Sequence, residues 1–150
     1  MKKRSARSGF TLVEVLIVVV IMAILAATII PQFTDSTNDA KVSTSKFNLH
    51  TMRSQIELYK AHHNGGLPAA TLVELTKSTD ADGTQGTGAN FPFGPYMREV
   101  PANPFTNSNA VKSVTNDPAV AADVTSGGGG WLYNATTGGI WIDHADHFTK

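Results

Sequence analysis

The sequence contains no cysteine, so neither a disulfide nor a thiolate metal site can staple it. Its 150 residues make about one small domain. Stability must then come from helix packing, a sheet, a bound ion or assembly with other copies. Acidic residues are missing ahead of Glu14, whereas Lys2, Lys3, Arg4 and Arg7 crowd the start. Without residues 1–9, eight basic residues face twelve acidic ones, a net charge of −4. No basic patch remains for nucleic acid, which is not expected as a partner. Also missing are G-x-S-x-G and H-E-x-x-H. The stretch Ser126-Gly127-Gly128-Gly129-Gly130 lacks the Lys-Ser/Thr of a phosphate loop and opens no helix. No internal repeat is present. The sequence gives no reason to expect an enzyme.

What is there begins with three successive parts: a short basic segment, an apolar segment at 10–30, and Pro31. The apolar part has 21 residues and one charge. As a helix at about 1.5 Å per residue it spans roughly 30 Å, the thickness of a bilayer's hydrocarbon core. The basic flank places the N-terminus on the cytoplasmic side and the rest of the chain across the membrane. The run is longer than the apolar part of an ordinary secretory signal, although Ala23, Ala26 and Ala27 could mimic a cleavage site. A plain single-pass anchor explains the length and the flank but not Glu14. A charge at membrane depth costs roughly 2.5–3.5 kcal/mol on insertion scales and usually has a partner. Cleavage between Gly9 and Phe10 would create one: the Phe10 ammonium of a neighbouring copy, whose pairing with Glu14 fixes the axial register between helices.

The stretch Gly9-Phe10-Thr11-Leu12-Val13-Glu14, after a basic leader and before an apolar run, resembles the class III signal of type IV pilins and type II secretion pseudopilins. The resemblance implies that a prepilin peptidase cuts between Gly9 and Phe10 and methylates the new N-terminal Phe10. It further implies that Glu14 sets register and that Pro31 sits at the family's helix-loosening proline.

Beyond Pro31 the pattern turns amphipathic. Val42, Leu49, Met52, Ile56 and Tyr59 share one helical face, and Asn64-Gly65-Gly66 with Pro68 supplies the stop, with glycine suited to the left-handed residue. One helix is expected over about 10–63. The apolar face is too short to favour a coiled coil. Residues 71–75 suggest a helical turn, and 79–90 a flexible surface loop. Residues 91–105, with four prolines and four aromatics, suggest a rigid packed connector. A short strand is expected within 109–114, a loop over 117–130, and a β-hairpin from 131–134 and 140–143.

This layout, with Asn64-Gly65-Gly66-Leu67-Pro68 after the helix and Gly94-Pro95-Tyr96 through Pro101-Ala102-Asn103-Pro104-Phe105 before a terminal hairpin, is similar to that of the major, G-type pseudopilins. The family's Asp-Pro-Trp-Gly is here Asn103-Pro104-Phe105-Thr106. The expected fold is α+β and pilin-like, a long N-terminal helix packed on a small C-terminal antiparallel sheet. The expected organisation is a leader at 1–9, a membrane and assembly helix at 10–30, and an extracytoplasmic domain at 31–150.

The resemblance also implies calcium near the C-terminal sheet. Asp117, Asp123, Asp143 and Asp146 are the candidate donors, set against a plain solvated acidic loop without any cofactor. His144 and His147, three apart, and the adjacent His62 and His63 raise zinc, with no third ligand indicated. Trp131, Tyr133 and Trp141 suit core packing better than an exposed sugar or cargo platform. The function implied is a structural subunit of a type II secretion pseudopilus. Its partners would be other copies of itself, prepilin peptidase, other pseudopilins, an inner-membrane assembly platform and the membrane. A type IV pilin and a monomeric membrane-tethered binding module are the alternatives.

Overall fold

A computed structural model describes residues 9–148. It divides into two compact units, Met1–Ala40 and Lys41–Lys150, each taken by itself here. The longest element, α1, spans Leu12–His62 and runs through position 31.

Up to Ile30, α1 is built from Val, Ile, Leu, Ala and Met with one Thr, and Glu14 is its only charge there. The β-branched residues are mediocre helix formers in water. In hydrocarbon, however, a helix satisfies every backbone group within the segment, which outweighs that deficit. The apolar side chains here are exposed on all sides: Leu12, Val15, Ile21, Leu25 and Ile30 are each at least half accessible.

In the second unit α1 becomes one-sided. Leu49, Met52, Ile56 and Tyr59 are buried, at the 3–4 residue spacing that keeps them on one stripe. Between them, Arg53, Ser54, Glu57 and Leu58 are exposed. The helix ends in a Schellman arrangement, with the Gly65 N–H donating to the Lys60 carbonyl at 2.9 Å. Asn64, at φ 53°, is the left-handed residue there, followed by Gly65 at φ 89°. Glycine was expected in that first position; asparagine is the other residue that tolerates it.

The anticipated helical turn is a 3-10 turn at Val73–Thr76. The segment read as loop at 79–90 contains more order than expected. Ser78–Thr79 (β1) pairs antiparallel with Gln85–Gly86 (β2), and the Asp80 carboxylate closes the hairpin by accepting from the N–H groups of Asp82 and Thr84. Thr79 is buried, its hydroxyl 2.9 Å from His63 Nε2.

The second sheet holds β3 (Val111–Ser113), β4 (Trp131–Tyr133) and β5 (Ile140–Ile142), in the order β3-β4-β5. The hairpin β4–β5 is antiparallel as expected, Trp131 facing Ile142 and Tyr133 facing Ile140. β3 runs parallel to β4, so the sheet is mixed. A parallel pair needs a crossover, and residues 114–130 provide it. Alternation sorts β4 and β5 onto two faces. Trp131, Tyr133, Ile140 and Ile142 join Leu49, Met52, Ile56 and Tyr59 in the main core. Leu132 and Trp141 turn the other way and are covered by Val114 and Ala119 of the crossover. Both faces are therefore buried, which explains why these strands read as unbroken apolar runs.

Candidate assembly segment and C-terminal donors

The start of α1 is capped by its own sequence. Thr11 is the N-cap: its Oγ1 accepts from the Glu14 N–H at 3.2 Å. In return Glu14 Oε2 accepts from the Thr11 N–H and from Thr11 Oγ1, both at 2.8 Å. This reciprocal pair is a capping box, and a carboxylate there suits the positive end of the helix dipole. Glu14 is thereby folded back onto the residue after Phe10. The spacing Thr-x-x-Glu before an apolar run is the signal that identifies Thr11, which the reading of Glu14 alone overlooked.

Phe10 is 88% accessible. Among the described residues, nothing lies within 4 Å of where a Cβ on Gly9 would stand. The rest of the expected leader, residues 1–8, lies outside the described residues. α1 is the one described helix long and apolar enough to cross a membrane.

The four candidate calcium donors do not converge. Among the described residues no three His, Asp or Glu side chains gather where an ion could sit. Asp143 is buried, with Oδ1 accepting from the Thr125 N–H at 2.7 Å and Oδ2 from Thr125 Oγ1 at 2.6 Å. Asp123 accepts from the Val120 N–H at 2.9 Å and from Asn116 Nδ2 at 3.1 Å. The Val120 and Asn116 bonds, with Lys112 nearby, hold its carboxyl below the usual carboxylate range. Asp117 lines a shallow groove with Arg53, Glu57 and Thr137. Asp146 lines another with Thr125, Gly128 and His144.

The histidines and aromatics have packing roles. His144 and His147 stack with each other at 5.0 Å; His147 also stacks on Phe105, and His144 lies tilted against it. His63 is buried and stacks on Tyr59 at 3.8 Å, its Nδ1 2.7 Å from the Tyr59 carbonyl. Trp131 and Tyr133 are fully buried and Trp141 nearly so. Trp131 Nε1 donates to the Pro101 carbonyl at 2.7 Å and the Tyr133 hydroxyl to the Pro68 carbonyl at 3.0 Å. They form no exposed platform.

Asn103, which sequence reading noted only as a departure from the Asp-Pro-Trp-Gly connector, is fully buried and central. Its Nδ2 donates to the carbonyls of Gly129 and Gly130 at 3.0 and 3.1 Å, and its Oδ1 accepts from the Phe105 N–H at 3.0 Å.

Comparison with known proteins bears on both parts of the chain. A family model for the prokaryotic N-terminal methylation motif matches residues 4–30. A second, for type II secretion system (T2SS), protein G, matches residues 32–134. Among curated proteins, the type II secretion system core protein G of Pseudomonas aeruginosa is 31% identical over 107 residues, covering 70% of this chain and 72% of that one. The protein of the same name from Vibrio cholerae is 28% identical over 113 residues, 71% of each chain. A fimbrial protein of Neisseria meningitidis is 34% identical over 77 residues, 51% of this chain and 45% of that one. No solved structure gives a significant match.

Proposed function

The chain belongs to the type II secretion system protein G family, and on that premise we propose how it serves as a pseudopilin subunit of that system. The precursor sits in the cytoplasmic membrane by its apolar helix, with Lys2, Lys3, Arg4 and Arg7 holding the N-terminus inside and residues 31–150 outside. Prepilin peptidase removes residues 1–9 and methylates Phe10. The new ammonium at Phe10 then meets the Glu14 carboxylate of a neighbouring copy. The apolar helices exchange lipid for one another and become the core of the filament, with Pro31 loosening the helix as subunits pack. Other pseudopilins and an inner-membrane assembly platform act with it, and energy comes from separate machinery.

The observation that carries this reading is the capping geometry at Thr11 and Glu14. It keeps a carboxylate at the helix start, one residue from the amine that cleavage would create. Within hydrocarbon an unpaired carboxylate is costly. The cap satisfies it in a lone subunit, and an ammonium of opposite charge satisfies it better in an assembly.

The test is intact mass with N-terminal sequencing of protein from its native membrane. The expected chain begins at Phe10 and carries one added methyl group. A chain beginning at Met1, or after Ala23, Ala26 or Ala27, would remove the basis for the Glu14 pairing. The fimbrial relative supports a second reading, a pilus for adhesion, motility or DNA uptake. Deleting the gene separates the two: loss of protein secretion without loss of surface pili favours the first, and the reverse outcome favours the second.

A further inference from the structure

Calcium binds through six to eight oxygens with lone pairs free to face it. Around the crossover between β3 and β4, two of the four candidate carboxylates already hold hydrogen bonds. Asp123 spends its carboxylate on Val120 and Asn116, and Asp143 spends both oxygens on Thr125. Two backbone carbonyls are occupied too. Gly129 O accepts from Asn103 Nδ2 and from Thr106 Oγ1 at 2.6 Å, while Gly130 O accepts from Asn103 Nδ2 and the Asp143 N–H. The four glycines bring no side-chain oxygen, and Gly129 and Gly130 use the lack of a Cβ for close approach. A Cβ on Gly129 would stand 2.1 Å from Asp143 Oδ2, and one on Gly130 would stand 2.2 Å from the Ala110 carbonyl. The main chain at Gly129 thus packs directly against the Asp143 carboxylate.

The loop also contains a cation of its own. The Lys112 side chain, from the middle of β3, donates its ammonium hydrogen to the Asp123 backbone carbonyl. One residue's carbonyl and carboxylate are thereby served by a lysine on one side and by amide donors on the other.

We propose that the 116–130 crossover is closed by the chain's own groups, with the Lys112 ammonium in the part a divalent ion would play, so that this domain keeps its C-terminal loop without calcium. The carboxylate of Asp143 is a lock on Thr125 rather than a metal ligand, and Asp123 is a cap for the 3-10 turn at Ala121–Asp123. The proposal concerns the fold of the loop and does not depend on how the subunits assemble.

The experiment is thermal unfolding of the detergent-solubilised full chain, in excess EDTA and in millimolar calcium, read by near-ultraviolet circular dichroism. Hydrogen exchange of the Val120 and Thr125 amides is followed alongside. A resident ion at about one hundred times its Kd would raise the midpoint by roughly 5–10 °C. The expected result is the same midpoint in both media. Lys112→Ala is expected to lower it by roughly 2–4 °C in both and to speed exchange at Val120 and Thr125. Asp143→Asn is expected to lower it equally in both. A calcium-dependent rise in the wild-type midpoint that Asp143→Asn or Asp123→Asn abolishes would overturn the proposal. So would unchanged protection of both amides in Lys112→Ala.

Discussion

Glu14 has one partner in the structure, Thr11, and the proposed assembly would give it a second; the two make different demands. The Thr11 N–H asks only for an acceptor oxygen, which an amide can supply. A neighbour's ammonium asks for charge. Glu14→Gln should therefore keep the start of α1 capped but remove the ion pair, whereas Glu14→Ala removes both. Both variants are expected to remain in the membrane and to lose filament assembly, measured by shearing and sedimentation. Normal filaments from Glu14→Gln would mean that the cap alone is what assembly requires. The motif in this segment, matched by the methylation-motif family over residues 4–30, was legible in the sequence because it depends on order: a basic flank, Gly9-Phe10, and one acid in an apolar run. Asn103 was not legible in the same way. Its partners are carbonyls at Gly129 and Gly130, more than twenty positions along the chain, and nothing near residue 103 announces them.

At the scale of the element, β4 shows what periodicity reveals and what it hides. Aromatic and β-branched residues on either side of a glycine-containing turn made the β4–β5 hairpin readable. The parallel partner β3 was readable as a strand but not in its direction, because direction is set by where the crossover packs. β1 and β2 escaped notice because two-residue strands among Gly, Asp and Thr have no period to detect. The same packing that hides β4 from water governs its response to base. Burial raises the Tyr133 hydroxyl above its ordinary value, with the charge of Glu74 adding to the effect, and Tyr59 is raised for the same leading reason. The folded state then holds phenolic protons that the unfolded state releases near pH 10. Stability from this source is complete below about pH 10 and is lost as pH rises beyond it. Tyr133→Phe should cost about 1 kcal/mol at neutral pH through the lost bond to Pro68 and should unfold less steeply with alkali than wild type. Equal slopes in alkaline denaturation curves would show that Tyr133 does not contribute to the effect.

At the scale of the whole molecule, apolar side chains are used in two incompatible ways. Up to Ile30 they are exposed, and each Val, Leu or Ile left in water forgoes about 1.5–3 kcal/mol, so this part is stable only in lipid or against other copies. From Lys41 onward the chain has its own interior: both core clusters, from Leu49 to Ile142, are made entirely of residues of the second unit. A fragment of residues 41–150 should therefore be soluble without detergent, monomeric by light scattering, and cooperative in thermal unfolding followed by the fluorescence of Trp131 and Trp141. The full chain should need detergent or lipid to remain dispersed. Truncation leaves only a frayed first turn, because residues 41–44 place no side chain in either core cluster. A fragment that aggregates, or that melts without a cooperative transition, would mean that the domain draws part of its stability from the helix preceding Lys41.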